Sequence, residues 1–293
     1  MKKLFLFVLV ALCTTGLYAK KQVVYVEYFS YSNSVGDERA EQVRAALISA
    51  LTTYQHLQVV DVASQSSLSH EKNRRSDEDA LEDETARNEK LKQLGANYIV
   101  QGYVSSLEIT ENRKVNKKGE IKLHYDAVMS YSVKVIDCEN GTLLSTDLFT
   151  YNEDDDNPEE CVQDMLKKLP RDVKNIVTKD FKLRSIILDS DYEAKNGNLQ
   201  KCYINLGEDD GLAQGTVFAV KKAIIKVGRV SWTTIGEIAV ESIVAGDLAL
   251  CKVKKGSKEI NAALEEVISI KDSDPNNAHD LIVESIAFPQ KSR

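Results

Sequence analysis

The sequence predicts an α+β fold in which a mixed or antiparallel sheet is packed by helices and is followed by a small all-β unit. Three observations lead to this prediction. Apolar residues occupy every second position from Ile121 to Val135, two segments before residue 180 carry apolar residues at helical spacing, and short strands separated by glycine turns dominate from Phe181 onward. Alternation is typical of a strand with one buried face, and spacings of three and four are typical of an amphipathic helix.

The first residues have the pattern of a secretory signal peptide. Two lysines precede an apolar run from Leu4 to Leu12, and small or polar residues then lead to Ala19. The run is too short to cross a bilayer as a helix, and its order is that of a cleaved leader. We therefore expect residues 1–19 to be removed on export. Cys13 stands where a lipoprotein cysteine could stand. The preceding Leu12 counts against lipidation, because the bacterial lipobox requires a small residue there, and the sequence does not decide between the two alternatives.

The first unit, residues 20–180, contains alternating strand and helix signals. The predicted strands are 22–29, 56–62, 96–109, 121–135 and 142–150, and the predicted helices are 40–54, 71–90 and 158–177. The fourth strand is the clearest, because its eight apolar residues share one face and Val128 is the only apolar residue on the other. We expect all eight apolar side chains to lie in the core. An acidic loop at 153–157 precedes the last helix, which Pro158 begins and Pro170 interrupts.

The second unit consists of short strands with glycine turns between them. Its predicted strands are 181–188, 199–206, 216–221, 235–241 and 248–253, and a short helix follows at 260–267. This pattern is typical of a small β-barrel, which we place at 181–257 with the domain boundary at about residue 180. A C-terminal tail, 258–293, holds the helix and an edge strand at 281–288.

Charge and cysteine content exclude several classes. The formal net charge of −7 becomes −9 when the two leader lysines are removed, and an acidic chain without a basic stripe is a poor nucleic-acid binder. No run after the leader is apolar enough for a transmembrane helix. The four remaining cysteines contain no Cys-x-x-Cys pair, so the sequence indicates neither a zinc site nor a redox dithiol. They form either disulfides or, as we prefer, buried thiols. They are Cys138, Cys161, Cys202 and Cys251.

No motif indicates a reaction. The four histidines, His56, His70, His124 and His279, lack metal-ligand spacing, and neither a nucleophile elbow nor a phosphate-binding loop is present. Acidic residues fill the glycine-rich stretch Gly207 to Gly215 and would repel phosphate. We therefore expect no catalytic residue, no cofactor and no metal site. Two acidic runs, Glu82–Glu84 and Asp154–Asp156, are candidate contact surfaces, although solvated charge is the simpler account of each.

Several segments carry a resemblance to a known family. Val23 to Phe29 matches an opening strand, Leu94 to Gly102 matches a strand that ends in glycine, and Ser132 to Ser145 matches a hairpin with Asp137 and Gly141 at its turn. These segments resemble the periplasmic family that includes the curli-secretion component CsgG, the penicillin-binding-protein activator LpoB and the middle domain of the flagellar protein FlgT. Asn205 to Phe218 resembles the SH3-like C-terminal barrel of FlgT-like proteins. The positions that match the family pattern are Gly95, Gly102, Asp137, Gly141, Gly207, Gly211 and Gly215.

The resemblance implies a non-catalytic periplasmic accessory or scaffold protein. Such a protein would bind an envelope protein in a cell-wall synthesis, secretion or motility assembly, and the resemblance leaves open a homo-oligomer and a peripheral association with the outer membrane. One alternative is a subunit of a CsgG-type secretion pore, which needs paired strands of alternating apolar residues. Only 121–135 has that alternation, since 103–114 has few outward apolar residues and much charge, so we prefer a one-sided sheet. A second alternative, a periplasmic hydrolase, needs an acid and a base assembled from distant residues.

Overall fold

The computed structural model describes residues 21–61, 92, 95–115, 119, 121–188, 191–227, 229–273 and 281–289. The predicted leader and the predicted helix at 71–90 lie outside these residues. The strands are β1 (Gln22–Val26), β2 (Ser30–Tyr31), β3 (Leu57–Asp61), β4 (Tyr98–Val115), β5 (Ile121–Asp137), β6 (Thr142–Asp155), β7 (Arg184–Ile186), β8 (Glu193–Lys195), β9 (Asn198–Ile204), β10 (Val217–Lys226), β11 (Arg229–Ala245), β12 (Leu248–Lys255) and β13 (Leu281–Ala287). The helices are α1 (Asp37–Leu51), α2 (Pro158–Leu166), α3 (Leu169–Asp180) and α4 (Ser257–Ser273).

The first sheet is mixed, which confirms the predicted α+β class. Its strand order is β3-β1-β4-β5-β6, and β2 pairs with β4. Strand β1 is parallel to β3 and β4, whereas β4, β5 and β6 form an antiparallel meander. Helices α1, α2 and α3 pack on one face of this sheet, where the alternating side chains of β5 are buried.

The predicted helix at 158–177 is two helices. Asn157 caps α2 by accepting a hydrogen bond from the Glu159 amide at 3.0 Å, and Pro158 occupies the first turn. The chain breaks after Leu166, and Pro170 then lies in the first turn of α3. The predicted interruption is confirmed, because proline lacks the amide that a continuous helix would use there.

The prediction that all eight apolar residues of β5 are core is wrong at its first two. The inward-facing side chains from Ala127 to Val135 are buried, but Leu123 is 41% exposed and Ile121 is 65% exposed. Pairing with β6 ends at Tyr125 opposite Asp155, so the β4–β5 hairpin extends beyond the last strand of its sheet. The apolar face therefore continues past the elements that cover it. The predicted acidic loop at 153–157 also needs correction, because β6 continues through Asp155.

The second sheet has seven strands in the order β7-β13-β10-β11-β12-β9-β8. It curves into a half-barrel, and one isolated bridge joins Ile187 to Ile204 of β9. The predicted five-strand, SH3-like arrangement therefore does not describe the strand order. The predicted edge strand at 281–288 is central instead, since β13 pairs with β7 on one side and with β10 on the other. Helix α4 packs on this sheet through buried Ile260 and Leu264.

The two sheets meet through residues near the predicted boundary at 180. The Lys182 carbonyl accepts a hydrogen bond from Gln22 Nε2 at 3.0 Å, and the imidazole of His56 lies 3.2 Å from the Phe181 carbonyl. The His56 ring also stacks on Phe288, with 4.1 Å between centroids. One continuous cluster of buried apolar residues extends from Val24 through both sheets. Within the part of the chain that the structure describes, no helix is long and apolar enough to cross a membrane.

Candidate docking surface

Among the described strands, β6 lies at one edge of the first sheet and β3 at the other. Strand β6 pairs with β5 along one side, and no other described strand pairs with its second side. Its 14 residues make an edge that is roughly 45 Å long at the usual rise of a strand. Unpaired amides and carbonyls on such an edge can accept a further strand, and natural proteins usually block a long edge with charges, bulges or a covering element.

A tight turn held by polar side chains leads from β5 into β6. The Asp137 carboxylate accepts a hydrogen bond from the Glu139 amide at 2.7 Å, and the Asn140 side chain accepts one from the Thr142 amide at 2.9 Å. Gly141 closes the turn at φ +68°, a conformation that other residues adopt at a cost. Asp137 then pairs with Thr142, so the turn begins the pairing of β6, and a register shift between Leu143 and Ser145 follows it.

The other predicted turn residues do not converge on one site. Gly95 and Gly215 lie in turns, whereas Gly102 lies within β4 beneath the Phe29 ring. Gly207 lies against the Ala245 backbone, and Gly211 lies against Gln55. These five glycines are spread over both sheets. They shape the backbone in separate places and do not form a binding pocket.

Exposed apolar side chains line the first half of β6. Leu148 is 71% exposed, and Leu143 and Leu144 are also exposed. The register places Leu148 beside Ser132 and places Ser132 beside the exposed Tyr103, so these three side chains form a row across the sheet. This row lies on the outer face, opposite the helices. We call Leu143, Leu144, Leu148 and Tyr103 the apolar patch.

The second half of the edge is acidic. Glu153, Asp154, Asp155 and Asp156 form what we call the acidic end of β6. His124 of β5 lies between two of these carboxylates, 3.0 Å from Asp154 and 3.1 Å from Asp156. Hydrogen bonds from Lys122 and His124 hold the pKa of Asp156 below its usual range. The candidate run Asp154–Asp156 therefore lies at the opposite end of β6 from Leu143 and Leu144, whereas Glu82–Glu84 lies outside the described residues.

The buried charged groups serve the fold. Arg44 donates to the Glu27 carbonyl at 2.8 Å and to Glu41 at 2.7 Å, and its guanidinium contacts Asp61. Burial raises the pKa of Glu284, but hydrogen bonds from three cations lower it to about 2 overall. Those cations are Lys221, Lys182 and Arg184. Both networks join neighbouring elements, and the charges of Arg44 and Glu284 are paired with groups inside the protein.

A third buried network joins the first sheet to α3. Asp172 accepts hydrogen bonds from the hydroxyl groups of Tyr131, at 2.6 Å, and Tyr151. Burial and the Asp172 carboxylate raise the pKa of Tyr131 well above its usual value. Both tyrosines therefore stay neutral and donate, which makes the group a structural network without a nucleophile.

Histidine and cysteine side chains are also engaged in packing. Burial lowers the pKa of His56 to about 4. The four cysteines predicted as thiols are free and buried, and burial raises the pKa of Cys202 to about 12. Cys202 lies opposite Cys251 across β9 and β12. Among the described residues, no group of three or more histidine, cysteine or acidic side chains is arranged to hold a metal ion.

The comparisons with known proteins give no family. No protein-family model matches the chain, and no curated protein matches it. Similar solved structures include the PelC dodecamer from Paraburkholderia phytofirmans, which is 12% identical with a TM-score of 0.32 over 54% of this chain and 87% of that one. Lipoprotein GNA1162 from Neisseria meningitidis is 14% identical with a TM-score of 0.34 over 53% and 99%. The LpoB C-terminal domain from Escherichia coli is 14% identical with a TM-score of 0.29 over 46% and 85%. At these scores the similarities support no inference about function.

Proposed function

We propose that this chain is a non-catalytic accessory protein of the bacterial cell envelope that binds a protein partner through β6. The observation that carries the proposal is the edge of β6 with which no other described strand pairs, together with Leu148, which is 71% exposed on the outer face. Exposed apolar side chains beside an open strand edge are a liability in water, and such surfaces mark protein contacts. The acidic end of the same strand adds a charged rim to that surface.

Two features of the sequence support the envelope location. The leader at residues 1–19 has the order of an export signal. The motifs Leu94 to Gly102 and Ser132 to Ser145 resemble those of CsgG, LpoB and FlgT, which are periplasmic or envelope proteins. The partner proposed is therefore an envelope protein, in an assembly for cell-wall synthesis, secretion or motility.

The experiment is site-specific photo-crosslinking in the native cell. A photoreactive amino acid replaces Leu148 in one variant and Val244, an exposed residue of β11 in the second sheet, in the matched control. We expect one discrete crosslinked protein from position 148, identified by mass spectrometry, and none of it from position 244. Leu148→Lys should weaken capture several-fold, while Val244→Lys should not, and neither change should lower the melting temperature.

Two results would contradict this function. Equal crosslinking from both positions would mean that β6 is not a specific contact surface. Turnover of a small substrate by the purified protein, abolished by one Asp, Glu or His substitution, would instead favour the hydrolase.

A further inference from the structure

We infer that the occupant of the β6 edge is an extended segment of the partner that joins the first sheet as an antiparallel strand, with a basic residue six positions before an apolar one. This inference rests on the proposed function, because it specifies what the partner presents to β6.

The usable part of the edge extends from Ser145 to Asp155. Pairing between β5 and β6 is regular over these residues, and the register shifts only beyond them, between the pairs of Ser145 and Leu143. A bulge distorts the edge and ends regular pairing on that side. Strands β4, β5 and β6 already alternate in direction, so an antiparallel strand continues the pattern, and antiparallel pairing is also slightly the more stable kind.

The cross-strand register assigns each edge side chain to a face. Leu148 lies opposite Ser132 and Asp154 lies opposite Asp126, so both point to the outer face. They are six residues apart on that face. A strand that runs antiparallel to β6 passes Asp154 first and Leu148 six residues later. Side chains directly opposite one another contribute most to pairing, which favours a basic residue opposite the carboxylate and an apolar residue opposite the leucine.

The charges on the two faces of β6 indicate that a basic residue of the partner would bind on the outer face. On the helix side, Lys168 contacts Glu153 and Lys179 Nζ lies 2.9 Å from Asp147. On the outer side, His124 is the only basic side chain within ion-pair distance of Asp154 among the described residues, and it also contacts Asp156. Asp126 lies beside the same histidine. Lys122 contacts Asp156, which leaves Asp154 and Asp126 to share one histidine. A lysine or arginine of the partner would therefore face an excess of carboxylates there.

A second copy of the same strand fits this edge poorly. Antiparallel self-pairing over residues 145–155 sets residue 147 of one copy opposite residue 153 of the other, which brings Asp147 against Glu153 twice. Like charges directly opposite one another destabilise a strand pair. The occupant is therefore a different sequence, with charge complementary to the acidic end.

The test uses two synthetic peptides of eleven residues and identical composition. The forward peptide has lysine at its second position and leucine at its eighth, in a background of alternating threonine and valine, and the other peptide has the reversed sequence. We expect the forward peptide to bind the full chain at least tenfold more tightly by fluorescence anisotropy. Asp154→Asn should reduce that preference several-fold, whereas Asp191→Asn, an exposed substitution away from the first sheet, should leave it unchanged. Hydrogen exchange should slow at amides of residues 145–155.

Three outcomes would overturn the inference. They are equal binding of the two peptides, protection from exchange that lies away from β6, and concentration-dependent dimers in sedimentation that Leu148→Lys abolishes. The proposed function fails separately. A partner that crosslinks at position 148 while neither peptide binds would leave the docking function intact and show that the contact is not strand addition.

Discussion

At the scale of single residues, this sequence specifies buried polar groups whose partners are far away along the chain. Asp172 interrupts the apolar stripe of α3, and its two partners lie 41 and 21 residues before it in β5 and β6. Helical spacing predicts that this region of α3 faces the sheet, but it does not predict which hydroxyl groups meet there. The register of β5 and β6 places Tyr131 and Tyr151 beneath the same helix, and the network depends on that register.

The Asp172 network is expected to be costly to remove from one side. Asp172→Ala leaves two buried hydroxyl groups without their acceptor, and we expect the free energy of unfolding to fall by about 3 kcal/mol. Asp164→Ala removes an exposed carboxylate that pairs with Lys167, and the expected loss is about 0.5 kcal/mol or less. Urea unfolding of both variants measures the difference. Similar small losses would show that Asp172 is not the acceptor of both tyrosines.

His56 is expected to make stability depend on pH. Its pKa is about 4 in the folded protein and about 6.5 when unfolded, so the folded state binds fewer protons between these values. The free energy of unfolding must then fall as pH drops from about 6.5 toward 4, by about 2 kcal/mol between pH 7 and pH 5. Urea unfolding across this range checks the slope. His56→Asn should flatten it, and a variant that keeps the full slope would assign the effect to other groups.

At the scale of elements, alternation predicted the buried face of β5 but not how far the covering elements extend along it. The buried face of β5 is the predicted one. The predicted interruption of the last helix is also present, since α2 ends shortly before Pro170 and α3 begins beside it. The lengths of β4 and β6 were underestimated, because acidic residues such as Asp154 also occur in loops. Exposure of Ile121 and Leu123 could not be predicted, since a sequence pattern does not show where the covering helices end.

The change from covered to uncovered sheet along β5 gives a direct test. Met129 is fully buried, and Met129→Ala should lower the free energy of unfolding by about 2 to 5 kcal/mol, through lost burial and the cavity left behind. Leu123→Ala, on the same face but exposed, should cost about 1 kcal/mol or less. Thermal or urea unfolding compares the two. Equal losses would mean that a further element covers the projecting hairpin.

At the scale of the whole molecule, strand order decides which surfaces are free. The α+β class and the acidic run Asp154–Asp156 could be predicted locally. The docking edge could not, because Leu148 looks like any strand leucine until β6 is known to be the last strand of its sheet. The same holds for β13, whose apolar residues predict a strand but not its place between β7 and β10. The domain boundary at about residue 180 stays a prediction.

The contact between the two sheets can be tested through two glycines. Gly211 and Gly197 both have positive φ, at +67° and +71°, so alanine at either position should cost about 1 kcal/mol in backbone strain. Only Gly211 lies against the other sheet's chain, where an added Cβ would be 2.1 Å from the Gln55 carbonyl oxygen, whereas nothing lies within 4 Å of a Cβ at Gly197. Gly211→Ala should therefore cost about 1 to 3 kcal/mol more than Gly197→Ala. The His56 ring, next to Gln55, should change its proton chemical shifts only in Gly211→Ala. Equal unfolding free energies and unchanged His56 shifts would show that the two sheets do not approach each other this closely.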